Sequence, residues 1–377
     1  MPWKEENAVT LREEFVLKSL GKSVNFKMLC EEFGVSRKVG YKWVNRFKEG
    51  GLPALRDQSW RPRSCPNALA EHIVCEILRI KNQSPQRWGP KKIHALYERL
   101  HGSNSVTSLA SVRRVLEKAG HVKHRRKRSS PPARAHESTT QSRPNELWTV
   151  DFKGWWKTRD GARCEPLTLR DGHSRFLLEM RGMESCGGEA LFPVFERNFE
   201  KYGLPDVIRS DNGSPFASSN SPMGLSKLSV WWVSLGIRLD RIAPGRPDQN
   251  GAHERIHSDI RAELQLDLAG CLEESQGLFD EWRHTFNWER PHEALGMKFP
   301  GEVYERSQKQ YTGECPQIEY PVNWMERLVS PAGNISIHGR HIFLSETLAG
   351  RVAGLELVSD QLDVWFDYLR LGHIDLN

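Results

Sequence analysis

Between residues 129 and 145 the chain runs through Ser, Pro, Thr and Gln with almost no apolar side chain, and both the hydrophobic period and the sign of the charge change across that stretch. A segment of this composition cannot bury enough surface to order itself, so it reads as a linker. Residues 1–136 hold 28 Lys and Arg against 12 Asp and Glu, whereas the remainder holds 26 against 36. The two parts therefore face different partners. An excess of cations suits a polyanion, because each phosphate neutralised releases condensed counterions. An excess of acids is either a solvated surface or a supply of metal-coordinating carboxylates.

A length of 377 residues implies two or three domains, and 38% apolar with 27% charged residues is a globular composition. The start, Met1-Pro2-Trp3-Lys4-Glu5-Glu6, lacks the basic-then-apolar order of a signal peptide, and no long apolar run follows, so neither export nor a membrane partner is expected. The seven cysteines are scattered without a Cys-x-x-Cys pair, which suggests reduced thiols in the cytoplasm rather than disulfides or a structural zinc site.

Ahead of the linker the spacing is helical. Val9, Leu11, Phe15, Val16 and Leu20 mark a first helix; Asn25 caps a second that runs to Phe33; Gly34 supplies a turn; Ser36 caps a third carrying Val39, Trp43, Val44 and Phe47. This order spells a helix-turn-helix over residues 1–60. Its third helix presents Arg37, Lys38, Tyr41, Lys42, Asn45 and Arg46 on the other face, side-chain types that reach phosphates and base edges in a major groove. A basic three-helix bundle is the plainer alternative, and Gly40 costs the third helix about 1 kcal/mol in propensity. Arg56, Arg61 and Arg63, set among prolines, form a basic connector.

Residues 67–128 give a second helix-turn-helix. Its helices are marked by Ile73, Ile77, Leu78 and Ile80, by Lys91 to Leu100, and by Ser108 to Ala119, the last with Arg113, Arg114 and Lys118 outward. Lys123, Arg125, Arg126, Lys127 and Arg128 are too dense a run to pack and are expected in solvent or on phosphate. A nuclear localisation signal would explain that run but nothing around it.

Beyond the linker the pattern switches to strands at Leu147–Trp156, Glu165–Leu169 and Arg175–Arg181, joined at Asp160-Gly161 and Asp171-Gly172. A helix from Gly188 to Tyr202, a strand Asp206–Ser210, a polar loop from Asn212 to Lys227, a helix Leu228–Leu235, a strand Ile237–Asp240 and a long helix from about Gln249 complete an α/β layer spanning residues 146–310. Asp151 interrupts the first strand where a charge is normally rejected, Asp211 follows the end of a strand, and Glu254 sits early in the long helix. Carboxylate oxygens suit hard Mg²⁺ or Mn²⁺, and a cation pair suits phosphoryl transfer. Arg261, two helical turns beyond Glu254, is expected to grip a DNA backbone beside them.

Trp148-Thr149-Val150-Asp151, Ser210-Asp211-Asn212-Gly213 and Gly245-Arg246-Pro247-Asp248-Gln249-Asn250-Gly251 leading to Glu254 and Arg261 together resemble the DDE transposase and retroviral integrase superfamily, in particular bacterial insertion-sequence transposases. The likeness continues through Asn287, Arg290-Pro291-His292, Ala294-Leu295-Gly296 and Pro300. It implies a multidomain chain in which helix-turn-helix modules precede a ribonuclease-H-like α/β integrase core and a small C-terminal β-barrel, expected over 325–377. It carries the catalytic and metal-binding roles to Asp151, Asp211 and Glu254, with two Mg²⁺ or Mn²⁺ ions. The implied function is DNA transposition: binding of terminal inverted repeats, cleavage of the ends, and joining of the 3′ hydroxyl to target DNA. Double-stranded DNA and further copies of the chain, at least one, are the implied partners, in the bacterial cytoplasm and at the nucleoid when on DNA. A catalytically silent DNA-binding regulator and a plain ribonuclease-H-like nuclease are the alternatives.

Two features depart from the pattern. Asp211 and Glu254 are separated by 42 residues, a long interval that suggests an insertion over Ser214–Lys227. The tail from Ala332 holds three arginines and no lysine against six acids, so a protein contact fits it as well as DNA does. Asp160, Asp171 and Asp206 read as turn and strand-end residues, His253 and His257 as a helix face beside the metal position, and Trp155, Trp156, Trp231 and Trp232 as core rather than base-stacking platforms.

Overall fold

The computed structural model describes residues 7–21, 23–57, 68–85, 87–102, 107–122, 141–242, 251–264 and 269–375. The chain divides into two compact units, residues 1–68 and 69–377. No helix among the described residues is long and apolar enough to cross a membrane.

In the first unit, α1 (Ala8–Ser19), α2 (Phe26–Glu32) and α3 (Arg37–Gly50) start where the capping residues dictate. The Asn25 side chain accepts from the N–H groups of Lys27 and Met28, and that of Ser36 from Val39. Phe15, Val16, Leu29, Cys30, Val44 and Leu55 form the core. Gly40, a weak helix former, has a packing reason: a Cβ there would meet Cys30 Sγ at 2.8 Å and Phe15 Cζ at 2.9 Å. The small residue lets α3 lie directly on the other two helices.

The second unit begins with α4 (Glu71–Gln83), α5 (Pro90–His101) and α6 (Leu109–Lys118) around Ile77, Trp88, Ile93, Val112 and Leu116. The buried Lys81 ammonium donates to the carbonyl of Trp88 at 3.0 Å. The connector expected to extend to residue 145 gives way to folded chain earlier. Asn145 is buried, donating to Asp171 Oδ1 and to the Glu305 carbonyl while accepting from Trp148 Nε1.

The sheet that follows contains β1 (Leu147–Phe152), β2 (Trp156–Lys157), β3 (Arg163–Asp171), β4 (Leu177–Met183), β5 (Val207–Ser210) and β6 (Arg238–Arg241). Its order is β2-β3-β1-β5-β6, with β4 on the other side of β3. β1, β3 and β4 form the expected antiparallel meander, and β5 and β6 run parallel to β1. The first strand is shorter than its sequence suggested. The Lys153 N–H donates to the carbonyl of Pro166, which has no N–H to return, so the ladder stops; the chain turns at Gly154 (φ +91°) and pairs again as β2.

One face of the sheet is covered by α7 (Gly188–Tyr202) and α8 (Lys227–Ser234), which bury Phe195, Phe199 and Trp232 against Trp148, Leu169 and Ile208. α9 (Gly251–Glu263) and α10 (Leu272–Trp288) pack elsewhere on it through Ile256, Ile260, Phe279 and Phe286. Three α10 side chains stand in for a missing neighbour of β4. Gln276 and Asn287 each both donate to and accept from its backbone, and Arg283 donates to the Leu178 carbonyl. A short helix, α11 (Pro300–Val303), ends the core.

The C-terminal strands correct the expected barrel. β7 (Met325–Leu328), β10 (Val352–Val358), β11 (Gln361–Phe366) and β12 (Leu369–Asp375) make an open sheet in the order β12-β11-β10-β7, while β8 (Asn334–Ile337) and β9 (Arg340–Phe343) pair only with each other. Closure is unnecessary because Leu225, Val230 and Val233 of the core fill the same apolar cluster as Leu355, Val364 and Phe366. The long segment after Asp211 serves this junction: Leu225 is buried in the shared cluster, and Ser221 hydrogen-bonds Ser345 and Thr347.

Candidate active site

Register decides where the first two acids go. β1 lies parallel to β5 with Thr149 level with Arg209, so two residues further along each chain Asp151 and Asp211 stand at the carboxyl end of neighbouring strands, which are spaced about 4.8 Å apart. Asp151 is half-buried and accepts from the Phe152 N–H at 2.8 Å. Asp211 is exposed, accepts from the Gly213 N–H at 3.2 Å, and lies in the field of the half-buried Arg241 guanidinium.

Glu254, also exposed, is delivered by its neighbour. His253 is fully buried, with Nε2 2.7 Å from Thr149 Oγ1 on β1 and Nδ1 3.0 Å from Thr168 Oγ1 on β3. Thr168 pairs in register with Asp151 and donates its single proton to the Asp151 carbonyl at 3.1 Å. Its oxygen must then accept from both nearby rings, which puts the His253 proton on Nδ1 and the His257 proton on Nε2, 3.1 Å away. Nε2 of His253 in turn accepts from Thr149. Burial, reinforced by Arg170 and by His257, holds the His253 pKa far below its ordinary value. Burial with Lys153 and Arg261 nearby brings His257 down to about 4. Both rings are neutral pins that clamp the start of α9 to the sheet beside Asp151.

The helix face that the sequence assigned to His253, beside the metal position, is thus the buried one. The signal was present: His253, Ile256, Ile260 and Leu264 recur at helical spacing, so the ring belongs to the apolar stripe.

Among the described residues, Asp151, His253 and His257 form a group whose ligand atoms lie within 4.8 Å of one another. Asp211 and Glu254 stand outside that group. Both His253 nitrogens already serve the two threonines, so the donors left in that group are the Asp151 carboxylate and the His257 ring, of which a hard cation prefers the oxygen.

Of the expected DNA contacts, Arg37, Lys38, Tyr41 and Lys42 are exposed on α3, Tyr41 stacked on Phe26 at 4.2 Å, while Arg46 is half-buried with its guanidinium 5.0 Å from the Trp43 ring. Arg113 and Arg114 are exposed on α6, Arg113 paired with Glu117. Arg261 is exposed and borders a cleft with Lys153 and Lys157. Arg61, Arg125, Arg126 and the Gly245–Asn250 motif lie outside the described residues. Asp171, Asp160 and Asp206 are structural: Asp171 accepts from Asn145 and Ser174, Asp160 from Thr158 and Ala162, and Asp206 pairs with Arg143 and Lys309. Trp232 is core, whereas Trp155 is 55% exposed, contrary to expectation.

An integrase core domain matches residues 141–247, enclosing Asp151 and Asp211, and a second integrase core domain matches 235–300, enclosing Glu254; a helix-turn-helix domain matches 11–63 and a homeodomain-like domain 39–116. These domains support a member of the insertion-sequence transposase and retroviral integrase superfamily with an N-terminal helix-turn-helix. It is 27% identical over 239 residues to a 31.7 kDa protein of insertion element IS407 from Burkholderia multivorans, covering 63% of this chain and 82% of that protein. It is 24% identical over 253 residues to a 39.2 kDa protein of IS476 from Xanthomonas euvesicatoria, covering 67% and 70%. Among solved structures, the HTLV-2 integrase catalytic core domain in complex with magnesium aligns at 17% identity and TM-score 0.33, covering 44% of this chain and 99% of that one. A simian T-cell lymphotropic virus intasome chain aligns at 16% and 0.36, covering 76% and 99%. The integrase core domains and the insertion-element relatives support a transposase or integrase role.

Proposed function

We propose that this chain is a DNA transposase that binds the terminal inverted repeats of its element, cleaves the ends and joins the freed 3′ hydroxyl to target DNA. The observation that carries this reading is the meeting of Asp151 and Asp211 at the carboxyl ends of parallel neighbours, with Glu254 next to the histidine that fastens α9 to the same strand. Asp151, Asp211 and Glu254 would hold Mg²⁺ or Mn²⁺, two ions per site, and the oxygen-only donor set fits such hard cations. When bound, they supply charge neutralisation at the phosphate and a lowered pKa for the attacking oxygen.

The chain's own part is positioning. The exposed acids Asp211 and Glu254 face solvent, where a duplex can reach them, and Arg261 and Lys153, on the α9 helix and just beyond β1, would contribute positive charge toward the DNA backbone. In cleavage a water oxygen bonds to phosphorus and the 3′ oxygen leaves; in joining that 3′ hydroxyl attacks a target phosphate and the target 3′ oxygen leaves. The same carboxylates serve both steps, because only the nucleophile changes. The exposed basic face of α3 would recognise the repeat, and two ends joined in one event call for at least a dimer.

An oligonucleotide strand-transfer reaction with Mg²⁺ and element-end DNA tests this. Joined product is expected. Cleavage without joining would favour a nuclease, and binding without turnover a regulator; either outcome overturns the proposal.

A further inference from the structure

Two residues beyond Asp151 the chain leaves the sheet, and this break builds a feature that the paired acids do not require. Pro166 ends the β1–β3 ladder, Gly154 reverses the chain, and Trp155 is left on the outside at 55% exposure, the largest of any tryptophan among the described residues. Trp156, by contrast, turns inward and packs edge-on against Phe279, ring centroids 6.1 Å apart. The two neighbours thus have opposite fates, and the outer one leaves a large apolar ring in water.

What surrounds that ring is cationic. The Arg163 guanidinium sits 5.0 Å from its centroid while pairing with Glu165 at 2.6 Å. Lys153, Lys157 and Arg261 border the same open cleft of about 390 Å³, and among the described residues none of these three makes an ion pair with a carboxylate. Lys153 is half-buried at the edge of that cleft. Cations that line a cleft which also exposes an indole match a ligand that is both anionic and flat-faced. A paired base inside a duplex cannot offer its π-face, whereas an unpaired one can.

We infer that the Lys153–Lys157 turn is a stacking platform for an unpaired base of the DNA strand that enters the active site, with Trp155 under the base and Lys153, Lys157 and Arg261 on the flanking phosphates. This rests on the transposase reading for the identity of the strand, but not for the existence of the site. Alanine substitution at a base–aromatic stack weakens binding by roughly 5- to 100-fold.

The test uses the full chain without divalent metal, so that binding is read apart from chemistry, and a duplex carrying a short single-stranded overhang with 2-aminopurine at its first unpaired position. Wild type and Trp155→Phe should bind the overhang duplex and quench the probe. Trp155→Leu should lose the quench and bind the overhang duplex roughly 5- to 100-fold more weakly while holding a blunt duplex as before. Undiminished quench in Trp155→Leu, or equal weakening on blunt and overhang DNA, would overturn the inference, as would a change in oligomeric state with DNA binding intact. A chain that shows the Trp155-dependent quench yet never cleaves or joins DNA with Mg²⁺ would refute the transposase reading and leave this site standing.

Discussion

The two helical modules start from the same sequence pattern and end in different circumstances. The first forms a compact unit of its own, and Arg37, Lys38 and Lys42 stand in water on its third helix. The second shares a compact unit with the integrase core, and three of its cations pair with that core. Arg87 donates to the Ser258 carbonyl and pairs with Asp259 at 3.1 Å, Lys91 pairs with Glu293, and Arg99 grips Glu302 with both Nη atoms at 2.7 and 2.6 Å. The positive excess of the N-terminal part therefore overstates what DNA meets. Part of it is answered inside the molecule by the acidic excess of the rest, so charge counted along a sequence is not charge presented by a surface.

The difference can be broken at its strongest joint. Arg290 is buried against Asp259 and also approaches Glu263 at 3.5 Å, which in turn accepts from Trp282 Nε1. Arg290→Ala would leave the Glu263 carboxylate without a cation and Asp259 with Arg87 alone, and should destabilise the second unit by about 3–5 kcal/mol. In a thermal melt the second module should unfold with the core, while the first unit's transition stays in place. Gly40→Ala should act in the opposite place: the added methyl meets Cys30 and Phe15 below 3.0 Å, and the first unit alone should lose about 1–3 kcal/mol. A shift of both transitions by either variant would contradict the division.

Salt titration of DNA binding sharpens the same comparison with a smaller effect. Arg37→Ala and Lys42→Ala should each reduce the slope of log K against log salt by about 0.9, one phosphate contact apiece. Arg99→Ala should leave the slope unchanged, because its guanidinium already serves Glu302.

Much of this was legible in the chain itself. Asn25, Gly34 and Ser36 announce the first module through local capping chemistry, and the α7 boundaries Gly188 and Tyr202 follow from helical spacing between glycines. Asp151, Asp211 and Glu254 stood out because charges in a strand, at a strand end and early in a helix break the burial pattern. What the sequence hid depends on contacts between distant segments. Gly40 looked like a defect until Cys30 and Phe15 were seen against it, and the break after Phe152 depended on Pro166, which lies on the other strand. Trp155 and Trp156 are indistinguishable as letters, yet one turn of backbone sends them to opposite sides. The open C-terminal sheets were hidden for the same reason, since the residues that complete their core come from α8 and the segment before it.

The proposed metal site consists of Asp151, Asp211 and Glu254, with the nearby imidazoles outside it. Pulsed electron paramagnetic resonance of Mn²⁺ bound to the full chain on element-end DNA tests it most directly. Mn²⁺ without nitrogen coupling from a histidine is expected, with loss of most bound ion in each of Asp151→Asn, Asp211→Asn and Glu254→Gln. Directly coordinated imidazole nitrogen, or full Mn²⁺ binding in any one of those variants, would contradict it.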